Sequence, residues 1–318
     1  MVEHSITPAQ LNSARLIGVD WGSTSFRVFL LDTDGQVLAT RSAQCGASQM
    51  HGAADYAATL LRCAGDWMQI LYAEIPVIAC GMVGSKHGWE EVPYVSCPAD
   101  GWQLAKKLKL IKSGRVHLVP GLFTEPANLP PDVMRGEETQ LIGAMQLADQ
   151  LKADSCIILP GTHSKWAKIV DEKIVNFATH MTGELFSVLR QHSVLGRLLP
   201  EDQQSTDDAA FLRAVHAVRN HPELGLPHQL FAVRTLGLTE QLPAQGLADY
   251  LSGLLIAHEI KAGLNWRNAS TPLALVGDPE LCRRYELALS CFDVPVEIGL
   301  PNTAPAGLWE LARAAEIV

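Results

Sequence analysis

The sequence has no CxxC pair, no run of basic residues and no apolar stretch of the about 18 uninterrupted residues that a membrane span needs. Its seven cysteines (Cys45, Cys63, Cys80, Cys97, Cys156, Cys282 and Cys291) are odd in number. That argues against a disulfide framework and against a structural zinc site. The runs "VIACG", "SCIIL" and "LSCF" make several of them small buried hydrophobes. Positive charge is also scarce: 25 basic residues stand against 34 acidic ones, for a net charge of −9. This disfavours a general nucleic-acid surface or an anionic-membrane surface. The opening "MVEHSITPAQLNSARL" lacks the apolar core of a signal peptide, so a soluble cytoplasmic protein is expected. Two nucleotide signatures are missing as well. No GxxxxGK[ST] follows a strand, and no GxGxxG opens a helix.

What is present is an apolar, moderately charged chain of 318 residues, 47% apolar and 19% charged, enough for one large domain or two ordinary ones. Strand and helix signals alternate, which predicts α/β architecture. "RLIGVD" and "SFRVFLLD" read as strands around a tight turn, and "TDG" turns the chain again into "QVLA". Helical spacing covers 53–73, and "IPVIACG" is a buried strand ending at Gly81. A glycine-rich aromatic loop follows, then the strand "RVHLVPGL", then a helix beginning near Gly136.

At residue 155 the pattern restarts with "SCIILPGTHSKWAKIVDEKIVNF", strand, small-residue turn, strand, turn, strand. Aligning Gly22 with Gly161 sets Gly-Ser-Thr against Gly-Thr-His and Asp32 against Asp171. Hydroxyl residues occupy both turns where ordinary hairpins prefer Asn-Gly, which favours a duplication over chance. The boundary is placed near 150, giving domains 1–150 and 151–318. The second half continues with a helix near 183–195, an acidic stretch at 201–208 and an amphipathic helix over 247–264. The strand "LALVGD", the helix "PELCRRYELALSCF", the strand "VPVEIG" and a terminal helix complete it.

Glycine turns of this kind suit phosphate, because backbone N–H groups reach anionic oxygens unhindered by Cβ and hydroxyls add donors. The first turn offers Gly22, Ser23 and Thr24; the second offers Gly161, Thr162, His163, Ser164 and Lys165. Asp20 cannot approach phosphate without repulsion. A carboxylate beside phosphates implies a divalent cation, and Mg²⁺ takes one or two carboxylates while keeping its waters. The plainer role for Asp20 is a turn-capping acid.

The blocks "GVDWGSTSFRV", "GMVGSKHGW" with "VPYVSCPA", "VMRGEETQLIGA", "LPGTHSKW", "MTGELF" and "LSGLLIA" together resemble the 2-dehydro-3-deoxygalactonokinase family, in order from about residue 16 to 316. The resemblance implies the actin, hexokinase and Hsp70 fold: two ribonuclease-H-like domains with a nucleotide cleft between them. It implies ATP and Mg²⁺ as cofactors and a small sugar acid, 2-dehydro-3-deoxy-D-galactonate, as substrate, phosphorylated at its terminal hydroxyl. It places the ATP phosphates on Asp20–Thr24 and on Gly161–Lys165, with Asp20 toward the metal and Gly277 on the adenosine side. At the adenosine turn this sequence reads "VGDPEL", so Asp278 and Pro279 depart from the small or hydroxyl residues usual there.

Phosphoryl transfer needs positioning, charge neutralisation and a carboxylate for the proton of the attacking hydroxyl. In related sugar kinases that acid begins a helix late in the first domain, where "RGEETQ" lies, so Glu137 or Glu138 is the expected base. Acids in a first helical turn also simply complement the macrodipole. The substrate carboxylate calls for cations or backbone donors. Arg135, Lys86 and the loop residues Gly81, Gly84 and Ser85 fit that description, with Trp89 as a floor for the sugar. Lys86 as a solvated charge and Trp89 as packing are the plainer readings. The rivals are a kinase for the epimeric gluconate-derived acid, an actin-like or Hsp70-like ATP switch, and a phosphatase of the same fold. The choice of galactonate comes from the resemblance alone.

Overall fold

The computed structural model describes residues 8–70, 75–112, 115–200 and 206–318. Residues 71–73 of the helix expected over 53–73, positions 201–205 of the acidic stretch and the first seven residues lie outside the described residues. The chain divides into two compact units. Unit 1 comprises 1–155, 168–177 and 302–318; unit 2 comprises 156–167 and 178–301. The C-terminal helix thus groups with the first unit, and so does the far end of the second hairpin.

Up to residue 147 the order is α1 (Pro8–Ser13), β1 (Ala14–Trp21), β2 (Phe26–Asp32), β3 (Val37–Ala43), α2 (Ala53–Ile70), β4 (Val77–Gly81) and β5 (Val95–Ser96). Then come α3 (Gly101–Ala105), β6 (Lys109–Leu110), β7 (Val116–Leu118), β8 (Leu122–Thr124), β9 (Asp132–Met134) and α4 (Glu137–Leu147). The chain continues with β10 (Asp154–Leu159), β11 (Ser164–Val170), β12 (Lys173–His180), α5 (Thr182–His192), α6 (Asp208–Asn220), α7 (Leu226–Leu238) and α8 (Ala244–Trp266). It ends with β13 (Leu273–Val276), α9 (Pro279–Cys291), β14 (Ile298–Leu300) and α10 (Ala304–Ala314).

The two main sheets repeat one order, β3-β2-β1-β4-β7 (extended by β6) and β12-β11-β10-β13-β14. In the first, β4 runs parallel to β1 and β7; in the second, β13 runs parallel to β10 and β14. Strands β4 and β13 are buried throughout, and β10 is buried but for Asp154, which is what a sheet covered on both faces requires. Each unit has its own apolar core, one around Trp21, Phe26, Tyr56 and Trp67, the other around Trp166, Phe211, Leu251 and Tyr285. A third, three-stranded sheet, β5-β8-β9, was not expected from the pattern.

The paired aspartates of the two hairpins differ in use. Asp32 accepts the backbone N–H groups of Asp34 and Gln36 at 2.9 and 2.8 Å. Asp171 instead lies with Glu172 in a two-residue turn, both at positive φ (49° and 60°). The spacing assigned no helix to 208–238, where α6 and α7 lie. The apolar residues of α7 spread around its circumference, so it lacks a clear 3.6-residue stripe. Strand β14 begins later than "VPVEIG" indicated, at Ile298.

Candidate active site

The first glycine turn joins β1 to β2, and a segment far from it in sequence braces it. The carbonyl of Gly22 accepts from Ala47 N (2.9 Å), that of Ser23 from Ser48 N and Oγ (3.0 and 2.7 Å), and that of Thr24 from Gly46 N (3.1 Å). The carbonyls are therefore taken. The amides of Ser23 and Thr24 make no hydrogen bond among the described residues, and both residues are exposed. A turn with occupied acceptors and spare donors is the chemistry of an anion site. The braces Gly46 and Ser48 escaped the sequence reading, because nothing in "CGASQ" marks them until the fold brings them here.

Asp20 ends β1 beside this turn, with 15% of its side chain accessible. Burial pushes its carboxyl pKa up. The Arg27 guanidinium, 3.7 Å away, pulls it down, and the charge of Glu137 raises it again. Asp20 and Glu137 thus share one field at the carboxyl ends of the strands. Asp20 pairs in register with Cys80 on β4, and Gly81 follows at φ 92°, where a Cβ would lie 2.4 Å from the Trp21 carbonyl.

The acids that open α4 have unequal surroundings. Gly136 stands before the helix at φ 108°, with no side-chain cap. Glu138 fills that role from inside. It is fully buried, and its oxygens accept the Gly136 N–H (2.6 Å) and the Thr139 hydroxyl (3.0 Å). Glu137 is half-buried, and its Oε2 accepts the Arg135 N–H at 3.1 Å. Burial, with the neighbouring Glu137 charge, pushes the Glu138 pKa from 4.5 up to about 8. The native state then holds a proton that the unfolded chain releases. Stability is expected to be full below about pH 4.5 and to fall as pH rises through about 8. Glu138→Gln should flatten that fall. Urea midpoints at acid and alkaline pH measure it, and parallel profiles for the two proteins would refute the assignment.

The glycine-rich loop folds on itself. Trp89 N and Val92 N donate to the carbonyls of Val83 (2.7 Å) and Gly84 (2.9 Å), and Gly88 N donates to Ser85 (2.9 Å). Arg135 closes it: Nη2 donates to the Val92 carbonyl at 2.7 Å, and the guanidinium lies 4.4 Å from the Tyr94 ring centroid. Its Nε and Nη1 are buried without a hydrogen-bond partner among the described residues. Gly84 leaves room for this arginine, since a Cβ there would meet Nη1 at 3.0 Å. Trp89 stacks on Tyr56 with centroids 6.0 Å apart and meets Trp21 edge-on, so packing occupies much of its ring. Lys86 is exposed, with no partner among the described residues, and Ser85 is half-buried.

The second turn, between β10 and β11, repeats the arrangement. The Thr162 carbonyl accepts from Glu184 N at 3.0 Å, and the His163 carbonyl accepts from Lys165 Nζ at 3.0 Å. The amides of Thr162 and His163 make no hydrogen bond among the described residues, and both residues are exposed. His163 Nε2 pairs with the Glu184 carboxylate. Ser164 and Lys165, expected as direct phosphate donors, are instead buried behind the turn. They open β11, whose first four residues are all buried, and Ser164 Oγ meets the Tyr285 hydroxyl at 2.9 Å. At Gly161 an added Cβ would find nothing within 4 Å, so the protein's own packing does not demand glycine there.

Gly277 follows β13 at φ 148°, its N–H on the Leu300 carbonyl at 3.1 Å. The departure at Asp278 has a local cause. Its Oδ1 accepts the N–H groups of Glu280 (3.1 Å) and Leu281 (3.0 Å) as the N-cap of α9, with Pro279 at the first helical position.

Residues 20–311 match the pattern of the family described as 2-keto-3-deoxy-galactonokinase. The chain is 36% identical over 303 residues to the Escherichia coli (strain K12) 2-dehydro-3-deoxygalactonokinase, covering 95% of this chain and 99% of that protein. It is also similar to the crystal structure of a Sinorhizobium meliloti protein assigned as a 2-dehydro-3-deoxygalactonokinase, with TM-score 0.84, 34% identity and coverage of 94% and 98%. At 13% identity and TM-score 0.51 it shares its fold with the activator of 2-hydroxyisocaproyl-CoA dehydratase from Clostridium difficile, covering 96% of each chain. The fold is thus the two-domain α/β architecture of the actin-like ATPases and sugar kinases, and the chain belongs to the 2-keto-3-deoxy-galactonokinase family.

Proposed function

We propose that the protein transfers the γ-phosphoryl group of ATP to the terminal hydroxyl of 2-dehydro-3-deoxy-D-galactonate. One observation carries the reading on the structural side. Each unit has a glycine turn whose carbonyls are tied down and whose amides are spare, and the turn of unit 1 lies beside Asp20 and Glu137. The activity for which the Escherichia coli relative is named supports the substrate.

Within unit 1, Glu137 is the base. Glu137 is half-buried, whereas Glu138 is enclosed with both oxygens engaged and serves to shape the helix start. Glu137 would take the proton of the attacking hydroxyl. The amides of Ser23 and Thr24 would bind phosphate oxygens. Arg135 supplies the cation for the sugar-acid carboxylate: its buried Nε and Nη1 have no partner among the described residues, and the Tyr94 ring and the Val92 carbonyl orient it. Gly81, Gly84, Ser85, Lys86 and Trp89 belong to the loop that would enclose the sugar. Within unit 2, the amides of Thr162 and His163 would bind phosphate oxygens, Ser164 and Lys165 hold that turn from behind, and Gly277 lies on the adenosine side.

The Asp20 carboxylate, with the Glu137 charge acting on it, fits a divalent cation. No cluster of three or more His, Cys, Asp or Glu side chains among the described residues can hold a metal by itself. Asp20 therefore suits Mg²⁺ that arrives with the nucleotide and keeps most of its waters. When bound, Mg²⁺ neutralises phosphate charge.

ADP release measured with ATP alone and with each epimeric 2-keto-3-deoxy acid tests the proposal. Release only with an acid, and faster with the galactonate-derived epimer, is expected. Equal turnover without acid would establish a phosphatase, and tight nucleotide holding with no turnover would establish a switch. A preference for the gluconate-derived epimer would correct the substrate.

A further inference from the structure

The polar interior of unit 2 converges on one carboxylate that the proposed chemistry does not use. Glu259 lies in α8 and is buried. Its Oε1 accepts the Trp166 indole N–H at 2.9 Å, and its Oε2 accepts the Tyr285 hydroxyl at 2.7 Å and the Thr182 hydroxyl. An apolar side chain of that volume would serve stability as well or better, because burying a carboxylate is costly even when it is hydrogen-bonded. What the carboxylate adds is direction, and every donor it gathers leads to the turn at 161–164.

Trp166 lies on β11 two residues beyond Ser164. Thr182 opens α5, whose next two residues pack on the turn. A Cβ at Gly183 would fall 2.5 Å from the Gly161 carbonyl, and Glu184 N holds the Thr162 carbonyl. Tyr285 lies on α9. Because its hydroxyl donates to Glu259, its oxygen is left to accept from Ser164, 2.9 Å away. Ser164 Oγ in turn faces Gly161 N at 3.4 Å. One anion therefore orients a chain of hydroxyls that ends at the first amide of the turn, while Thr182 fixes the helix on its other side.

We infer that Glu259 is a positioning residue for the nucleotide's phosphates, holding the Thr162 and His163 amides in place through Trp166, Thr182 and the Tyr285–Ser164 pair. The inference rests on the ATP-binding reading above, so the test measures nucleotide binding directly. A non-hydrolysable ATP analogue with Mg²⁺ is titrated calorimetrically into wild type, Glu259→Gln, Tyr285→Phe and the double variant, and KM for ATP and for the sugar acid is measured beside it.

Each single variant should weaken analogue binding and raise the KM for ATP about tenfold, the scale of one lost buried hydrogen bond. The KM for the sugar acid should stay within about twofold, and the double variant should be little worse than Glu259→Gln, because the groups act in one chain. Tyr285→Phe keeps the ring and its packing, so it carries the test if Glu259→Gln does not fold. Wild-type affinity in the folded variants would overturn this inference alone. So would parallel rises in both KM values, or activity that only tracks the folded fraction. Failure of the wild type itself to bind the analogue would overturn the ATP reading as well.

Discussion

Glu137→Gln is expected to lower kcat by about 10²–10⁴-fold with little change in the KM for ATP, the usual loss when a positioned general base is removed. The substitution keeps volume and can still accept the Arg135 N–H through its amide oxygen. It removes the group that takes the hydroxyl proton. It also removes the negative charge acting on Asp20, so the Asp20 carboxyl should ionise more readily and folding should not suffer. Glu138→Gln is the informative partner. Glu138 is sealed at the start of α4, its oxygens on Gly136 N and Thr139, and cannot meet a substrate without opening the helix. Its glutamine variant should keep kcat within about tenfold of wild type, since only an indirect contact changes. Steady-state kinetics on both variants decide the matter. A severe loss in Glu138→Gln with near-normal Glu137→Gln would reverse the assignment.

Gly46→Ala should cost about 10²-fold in kcat/KM for ATP, although residue 46 lies outside every motif. A Cβ there would fall 2.2 Å from the Ser23 carbonyl oxygen and 2.3 Å from Thr24 N. Both are backbone atoms, so the turn must move by something near 1 Å, and a displacement of that size at a positioned site costs about 10²-fold. The same movement breaks the bond from Gly46 N to the Thr24 carbonyl. Gly52→Ala is the matched control, since a Cβ there meets nothing within 4 Å and the residue belongs to no part of the site. It should leave kinetics and thermal midpoint unchanged. Wild-type kcat/KM for ATP in a folded Gly46→Ala protein would show that the 46–48 brace does not set the phosphate turn.

Much of the architecture could be read along the chain, because it is encoded locally. Runs such as "LIGV", "VIAC" and "CIIL" are apolar at every position, which only a strand covered on both faces requires, and the two hairpins announce their likeness by their turns. The acid pair from which the base is proposed was legible for the same reason, as two acids after a glycine at a helix start. Helix α6 was missed although Ala210, Phe211, Ala214, Val215 and Val218 form a helical stripe, whereas α7 was not legible, nor was the small sheet β5-β8-β9, whose strands of two or three residues are too short to show a period.

What the sequence by itself determined is therefore the inventory: two glycine–hydroxyl turns, an acid ending β1, an acid pair opening α4, an arginine before them, and membership of a family. Only the tertiary structure decided which of these groups is exposed and which is spent on support. Successive residues of a helix differ by about 100° around its axis. That separates Glu137 from Glu138 although both lie in the same first turn. Burial on both faces at the start of β11 encloses Ser164 and Lys165 while Thr162 and His163 stay at the surface. Partners such as Gly46 for Thr24 or Glu259 for Trp166 are remote in sequence, and no local signal names them. Local propensity fixes what a segment is; which of its side chains meets a ligand is fixed by what packs behind it.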